Sequence, residues 1–309
     1  MISEQRLDLQ MLTAEEQDRL DCLIDRFSYG PARERLVQSA RPCISLFLED
    51  IPANGGQRTI ALGASRMGGV PNLPADMPWP IVDDGFVIEG EKRKPGYAGL
   101  LLQIAVEDMP DLVDQPLPNF GQVYIFDLGP SRPFKSSFLV RYSATAKTEL
   151  QRTERPTDLP CAAEQCCFES GDGFAIRGER GIDFPSVNED GLELYREIAK
   201  LMGVDDLSDG VLETYGEFEQ AARDAHALER AARGYPHWWW SVGYLFGATQ
   251  RSLDGQSRAA GVSPLITIES NTLVEYSSPA DCAPIQLSMP ADVQRPWTNF
   301  DRITADMTR

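Results

Sequence analysis

Histidine is almost absent from this chain: His226 and His237 are the only two in 309 residues. Imidazole is the usual partner of a serine or cysteine nucleophile, so most arrangements for nucleophilic catalysis have nothing to be built from. No GxSxG elbow occurs and no cysteine stands in a protease-like context. The six cysteines, Cys22, Cys43, Cys161, Cys166, Cys167 and Cys282, form no CxxC pair and no disulfide framework. No metal site and no cofactor are expected. Adjacent carboxylates such as Asp83-Asp84 and Asp205-Asp206 lack the context of a glycosidase pair or a calcium loop. No apolar run approaches the length of a membrane-spanning helix. The first residues, MISEQRLDLQ, lack the basic start and apolar run of a secretory signal, which predicts a cytoplasmic protein.

Positive charge is scarce as well. Lys and Arg number 29 against 47 Asp and Glu, a formal charge of −18. Phosphate neutralisation needs a basic face, so neither nucleic acid nor an anionic membrane surface is expected as a partner. An acidic protein attracts basic ones. The charge is uneven: Asp183 to Arg230 holds 13 acidic and 4 basic residues.

What is present reads as a mixed fold. Thr13 before Ala14, Glu15 and Glu16 predicts a capped helix, and Leu20, Leu23, Ile24 and Phe27 recur at helical spacing. Tyr29-Gly30-Pro31 ends that helix and opens a second one through Leu36. From Pro42 the period changes to that of strands: CISLFLE, RTIALGA, LLLQIA, GQVYIFDLG and SSFLVRYS. Between the second and third lies a Gly- and Pro-rich loop, residues 63–80, which Met77 and Trp79 predict to be ordered. Helical patterns follow at 189–203 and 211–234, and strands return in SVGYLFG, SPLITIES and APIQLSM. A strand–turn–strand order occurs in each half of the chain. The expected fold is α+β, two related, mainly antiparallel β halves with an N-terminal helical extension and a helical insertion. The expected divisions are 1–41 for the extension, 42–182 for the first half, 183–234 for the acidic insertion and 235–309 for the second half.

The ordered Gly, Pro and Trp positions carry a resemblance. Gly68-Gly69-Val70-Pro71, Leu73-Pro74, Trp79-Pro80, Leu102-Gln103-Ile104 and Gly121-Gln122-Val123-Tyr124-Ile125-Phe126 resemble the YwqG-like family of bacterial proteins. Leu245-Phe246-Gly247-Ala248-Thr249-Gln250 looks like a later element of that family. The resemblance implies a largely antiparallel fold whose halves are related by a pseudo-two-fold. It brings no assigned activity, but some members sit in toxin–immunity neighbourhoods, so it also admits an immunity role.

The candidate binding residues follow. Trp238, Trp239 and Trp240 cannot all point inward from one strand, so a contact surface stands beside a core filler as a reading. Glu213, Glu217 and Glu219 are expected on the outward face of a helical insertion projecting from the β body, where they would speed the approach of a basic partner. Arg66, in a glycine-rich loop without a P-loop ending, keeps a small-anion site open. Gln103 interrupts an apolar strand and must find buried partners, either backbone of the 68–74 loop or a ligand. The expected function is non-enzymatic protein binding, as an immunity protein against a basic toxin. The alternative is an enzyme or small-ligand binder with a site between the halves, near Arg66, Trp79 and Gln103.

Overall fold

The computed structural model describes residues 12–49, 59–83, 95–112, 117–129, 137–162, 173–184, 189–204, 209–227, 232, 241–247, 262–269, 285–290, 300 and 303–307. Helix α1 (Ala14–Arg26) begins as its sequence predicts, with a capping box: Thr13 Oγ accepts from Glu16 N and the Glu16 carboxylate accepts from Thr13 N. A 3₁₀ turn holding Pro31 leads into α2 (Arg33–Ser39). Three further clusters of elements follow in chain order. The first is β1 (Arg41–Leu48), β2 (Arg66–Met67), β3 (Asn72–Leu73), β4 (Ile81–Val82) and β5 (Gly96–Tyr97). The second is β6 (Gly99–Ala105), β7 (Gln122–Asp127), β8 (Phe138–Ser143), β9 (Gln151–Arg152) and β10 (Phe174–Asp183). Then come α3 (Glu189–Leu201), α4 (Asp209–Arg223), β11 (Ser241–Phe246), β12 (Val262–Ile268), β13 (Ile285–Pro290) and β14 (Thr304–Met307).

Ten strands form one sheet in the order β14-β13-β12-β11-β1-β10-β2-β6-β7-β8. Each neighbouring pair is antiparallel. The sheet curls. Tyr142 of β8, at one edge, stacks on Phe300, which precedes β14 at the other, with ring centroids 5.7 Å apart. Inside the curl, alternate residues of both sides, among them Ile44, Leu46, Leu102, Ile125, Leu245, Ile266 and Leu287, bury one continuous apolar core. On the outside, the chain from 63 to 82 lies against β6 and β7. There Leu73, Trp79, Tyr97, Tyr124 and Phe126 make a second cluster. The helices make a third cluster that meets the sheet at Ile182 and Phe184.

The register relates the two sides. Arg66, Gln103, Tyr124 and Arg141 stand opposite one another across β2, β6, β7 and β8. Tyr244, Thr267 and Gln286 do the same across β11, β12 and β13. Two residues beyond Arg66 come Gly68 and Gly69, at φ +66 and +72°, and two beyond Tyr244 come Phe246 and Gly247, at +63 and +78°. Tandem left-handed residues are rare, and a non-glycine there is strained. Their recurrence after the matching strand marks the halves as two versions of one unit. The first strands are exchanged: β1, early in the chain, pairs with β11 of the later half, and β10 pairs with β2.

Two expectations change. RTIALGA is not a strand: Ala61-Leu62-Gly63 is irregular or turning, Gly63 has φ +73°, and pairing begins at Arg66. The helical insertion does not project. Tyr215, Phe218, Ala221 and Ala222 of α4 are buried with Leu20 and Ile24 of α1, so extension and insertion form one layer. The chain's 63–80 loop is ordered, as expected, and Trp79 is 7% exposed with its indole N–H donated to Ala98 O at 2.7 Å. No helix among the described residues is long and apolar enough to cross a membrane. Trp79→Ala should cost about 3 kcal/mol or more and lower Tm by roughly 6 °C or more, read by calorimetry. An unchanged Tm would show that the loop contributes nothing to the core.

Candidate functional site

In the first half the polar row is filled by the protein itself. Gln103 is fully buried, and its Oε1 accepts from Asn72 N at 2.8 Å, the backbone contact expected of it. Its Nε2 donates to Gln122 Oε1 at 3.1 Å, and Gln122 Nε2 donates to Gly63 O. Tyr124 donates its hydroxyl to Asn72 O at 2.7 Å. Arg66 is 1% exposed and gives its guanidinium to Ala61 O, Val70 O and Asn72 Oδ1. The cation expected to bind an anion therefore holds the turns of its own loop together. Because a buried donor without a partner costs roughly 1–3 kcal/mol, the loop and the strands fix one another.

The matching place in the second half is built differently. Helix α4 ends over the outer side of β1 and β10. Its last carbonyls are capped from outside: Arg19 donates to Ala222 O at 2.9 Å and Ser45 Oγ to Arg223 O at 2.8 Å. Gly181 lets the helix end come this close, since a Cβ there would lie 2.5 Å from Arg223 O. The Arg223 side chain then crosses to the sheet. Its Nε donates to Asp183 Oδ1 at 2.7 Å, its Nη1 lies 3.8 Å from Glu269 Oε1, and its guanidinium sits 4.9 Å from the Tyr244 ring centre. Ser241 Oγ donates to Glu269, Thr267 hydrogen-bonds the Tyr244 phenol, and Gln286 Nε2 donates to Thr267 Oγ1 at 2.9 Å. Asp183 is fully buried.

Glu219 lies one helical turn before Arg223. It is 7% exposed, so its expected place on the outward face is corrected. The reason is periodicity: Tyr215, Glu219 and Arg223 are spaced by four and share the docking face, whereas Glu213 and Glu217 are exposed. Burial pushes the Glu219 carboxyl up to about 8; Arg223 opposes this while Asp183 and Glu269 add to it. The Tyr215 hydroxyl favours the carboxylate from one turn away. Neither it nor Glu219 Oε1 has a partner in hydrogen-bonding geometry among the described residues. Burial works against the Arg223 charge, but Asp183, Tyr244, Glu219 and Glu269 outweigh it and hold the guanidinium charged. Burial, then Asp183, pushes the Cys43 thiol up, so the nearby cysteine is no nucleophile. What this arrangement does chemically is hold one cation in a setting of surplus acid and push the Glu219 carboxyl toward its protonated form.

The chain matches a family described as a domain of unknown function (DUF1963) over residues 65–239, more than half of its length. The chain belongs to that family. The DUF1963 segment holds Asp183, Glu219 and Arg223, while Ser241, Tyr244 and Glu269 lie just beyond it. No curated protein matches the chain. Among the described residues, no group of three or more Asp, Glu, His or Cys side chains is placed to hold a metal ion. Trp238, Trp239 and Trp240 lie outside the described residues.

Of the residues singled out from sequence, Arg66 and Gln103 come together in one network and Glu213, Glu217 and Glu219 share a helix. Asp183, Arg223, Ser241, Tyr244 and Glu269 were not singled out. The four-residue spacing of Tyr215, Glu219 and Arg223 is the signal that finds the helix's share of them. Replacing Arg223 with Met should take from Asp183 the cation it pairs with at 2.7 Å and cost about 3–5 kcal/mol. Pairing it with Asp183→Asn should recover much of that loss. Urea midpoints decide: a single variant as stable as wild type would show that the pair does not hold α4 to the sheet.

Proposed function

We propose that the protein is a non-enzymatic binding protein whose acidic helical layer receives a basic protein partner. The observation that carries this reading is the layer's outward face. Glu15, Asp18, Asp21 and Asp25 are exposed on α1, and Glu213 and Glu217 on α4, and the two helices pack together. Arg33 pairs with Asp21 and Asp25, and among the described residues no salt bridge reaches Glu15, Asp18, Glu213 or Glu217. The formal charge of −18 adds a long-range attraction in the same sense. The polar residues that would have served a site between the halves support this reading from the other side: Arg66 and Gln103 are occupied by their own loop.

The finer reading is an immunity protein of the YwqG-like family that neutralises a basic toxin in the cytoplasm. Two features support it, the ordered Gly-Pro-Trp motifs that resemble that family and the acidic face suited to a cationic toxin. The test is co-expression with each product of the flanking genes. A basic product should arrest growth alone and be tolerated together with this protein. Reversal of Glu213 and Glu217 to Lys should slow its association roughly tenfold or more at low ionic strength, with the difference shrinking as salt is added, and should leave Tm near that of wild type. An association rate that ignores both salt and the substitutions would show that the acidity serves only solubility.

A further inference from the structure

The buried acid of α4 has no role in the binding face just described. Glu219 is sealed between α4 and the sheet, and the groups facing it come from every element around it. Arg223 and Tyr215 lie on its own helix, Asp183 on β10, Glu269 beyond β12, and Tyr29 on the turn after α1. With a proton on Glu219, one guanidinium faces two other carboxylates. Without it, the same guanidinium faces three among the described residues, and the new charge on Oε1 has no donor there in hydrogen-bonding geometry, the Tyr215 hydroxyl favouring it only from one turn away. Removal of solvent makes such a state costly.

The helical layer is also a separate packing unit. Leu20, Ile24, Leu36, Tyr195, Ile198, Tyr215 and Phe218 form a cluster distinct from both sheet clusters and meet the sheet through Ile182 and Phe184 at the end of β10. Units of that kind open by themselves at less cost than the whole fold. We propose that α4 is a proton-dependent latch, docked on β10 while Glu219 carries a proton and opening locally when that proton is lost. The proposal concerns the free protein and stands apart from the partner reading.

The direction of the pH effect follows from linkage. The closed state holds the carboxyl at about 8, against 4.5 for an ordinary glutamate, so the open state releases the proton first. Closure is therefore strongest at acidic pH, weakens as pH rises from 4.5 toward 8, and levels off above that. Between those limits the opening equilibrium shifts about tenfold per pH unit for one proton.

Hydrogen exchange of the full-length protein from pH 5.5 to 9, corrected for the chemical exchange rate, tests this. Protection of the α4 amides should fall about tenfold per pH unit up to roughly pH 8 and then level, while β6 and β7 amides hold theirs. In Glu219→Gln the α4 protection should be flat with pH and exceed that of wild type at pH 7.5. Three results would each overturn the latch: flat α4 protection in wild type, an unchanged slope in Glu219→Gln, or parallel loss in β6 and β7. The wild-type series decides by itself should the variant not fold.

Discussion

Asp183 ends the central strand with no exposure to solvent, and much of the molecule is arranged around that fact. A buried carboxylate must meet a cation or surrender its charge. Arg223 supplies the cation, and it arrives from a helix 40 residues further along the chain. To reach, α4 has to end directly on the backbone of β10, where Gly181 leaves room. Once there, its free carbonyls need donors, which Arg19 of α1 and Ser45 of β1 provide. One ion pair thus draws in the N-terminal helix, the two central strands and the later half of the sheet through Glu269 and Tyr244. Burial first, with Asp183 and Glu269 adding to it, pushes the Glu219 carboxyl up beside this pair.

The two halves answer the same packing problem in opposite ways. Each presents a polar row on the outer side of its strands. In the earlier half Arg66 grows from the strand itself and gives its guanidinium to carbonyl oxygens of its own loop. In the later half the guanidinium comes from outside the sheet and is met by acids. A common backbone, down to the paired left-handed residues, carries both. The difference lies in which side chain holds the charge and what compensates it.

Much of this was readable from the residues, and the exceptions have causes. The capping box at Thr13 is a local signal and predicts the start of α1 to the residue. Gln103 in an apolar strand had to be paired inside, and the prolines and glycines around Asn72 left a backbone amide to pair with it. β10 was not legible at all. FAIRGERGID has no alternation, because its glycines are there for close approach and its charged residues, Arg177, Glu179 and Arg180, pair along the strand and with α1. Glu219 was expected outward because every acid of its helix was placed on the face opposite the apolar one. Net acidity describes the segment, while helical spacing decides which acids see water. Arg223 and Asp183 could not be matched from sequence, since pairing across 40 residues is a property of the fold.

The exchange of first strands has a consequence for synthesis. β1 emerges from the ribosome well before one of its two neighbours, β11, which lies nearly 200 residues downstream. Until that partner arrives, β1 carries an unpaired row of amides and carbonyls along the apolar sequence CISLFL, a segment of the kind that recruits strands from other molecules. The sheet cannot be completed from the N-terminus outward. Its middle closes only after β11 has emerged, and a nascent chain stalled before β11 would be an aggregation hazard for as long as it stays attached.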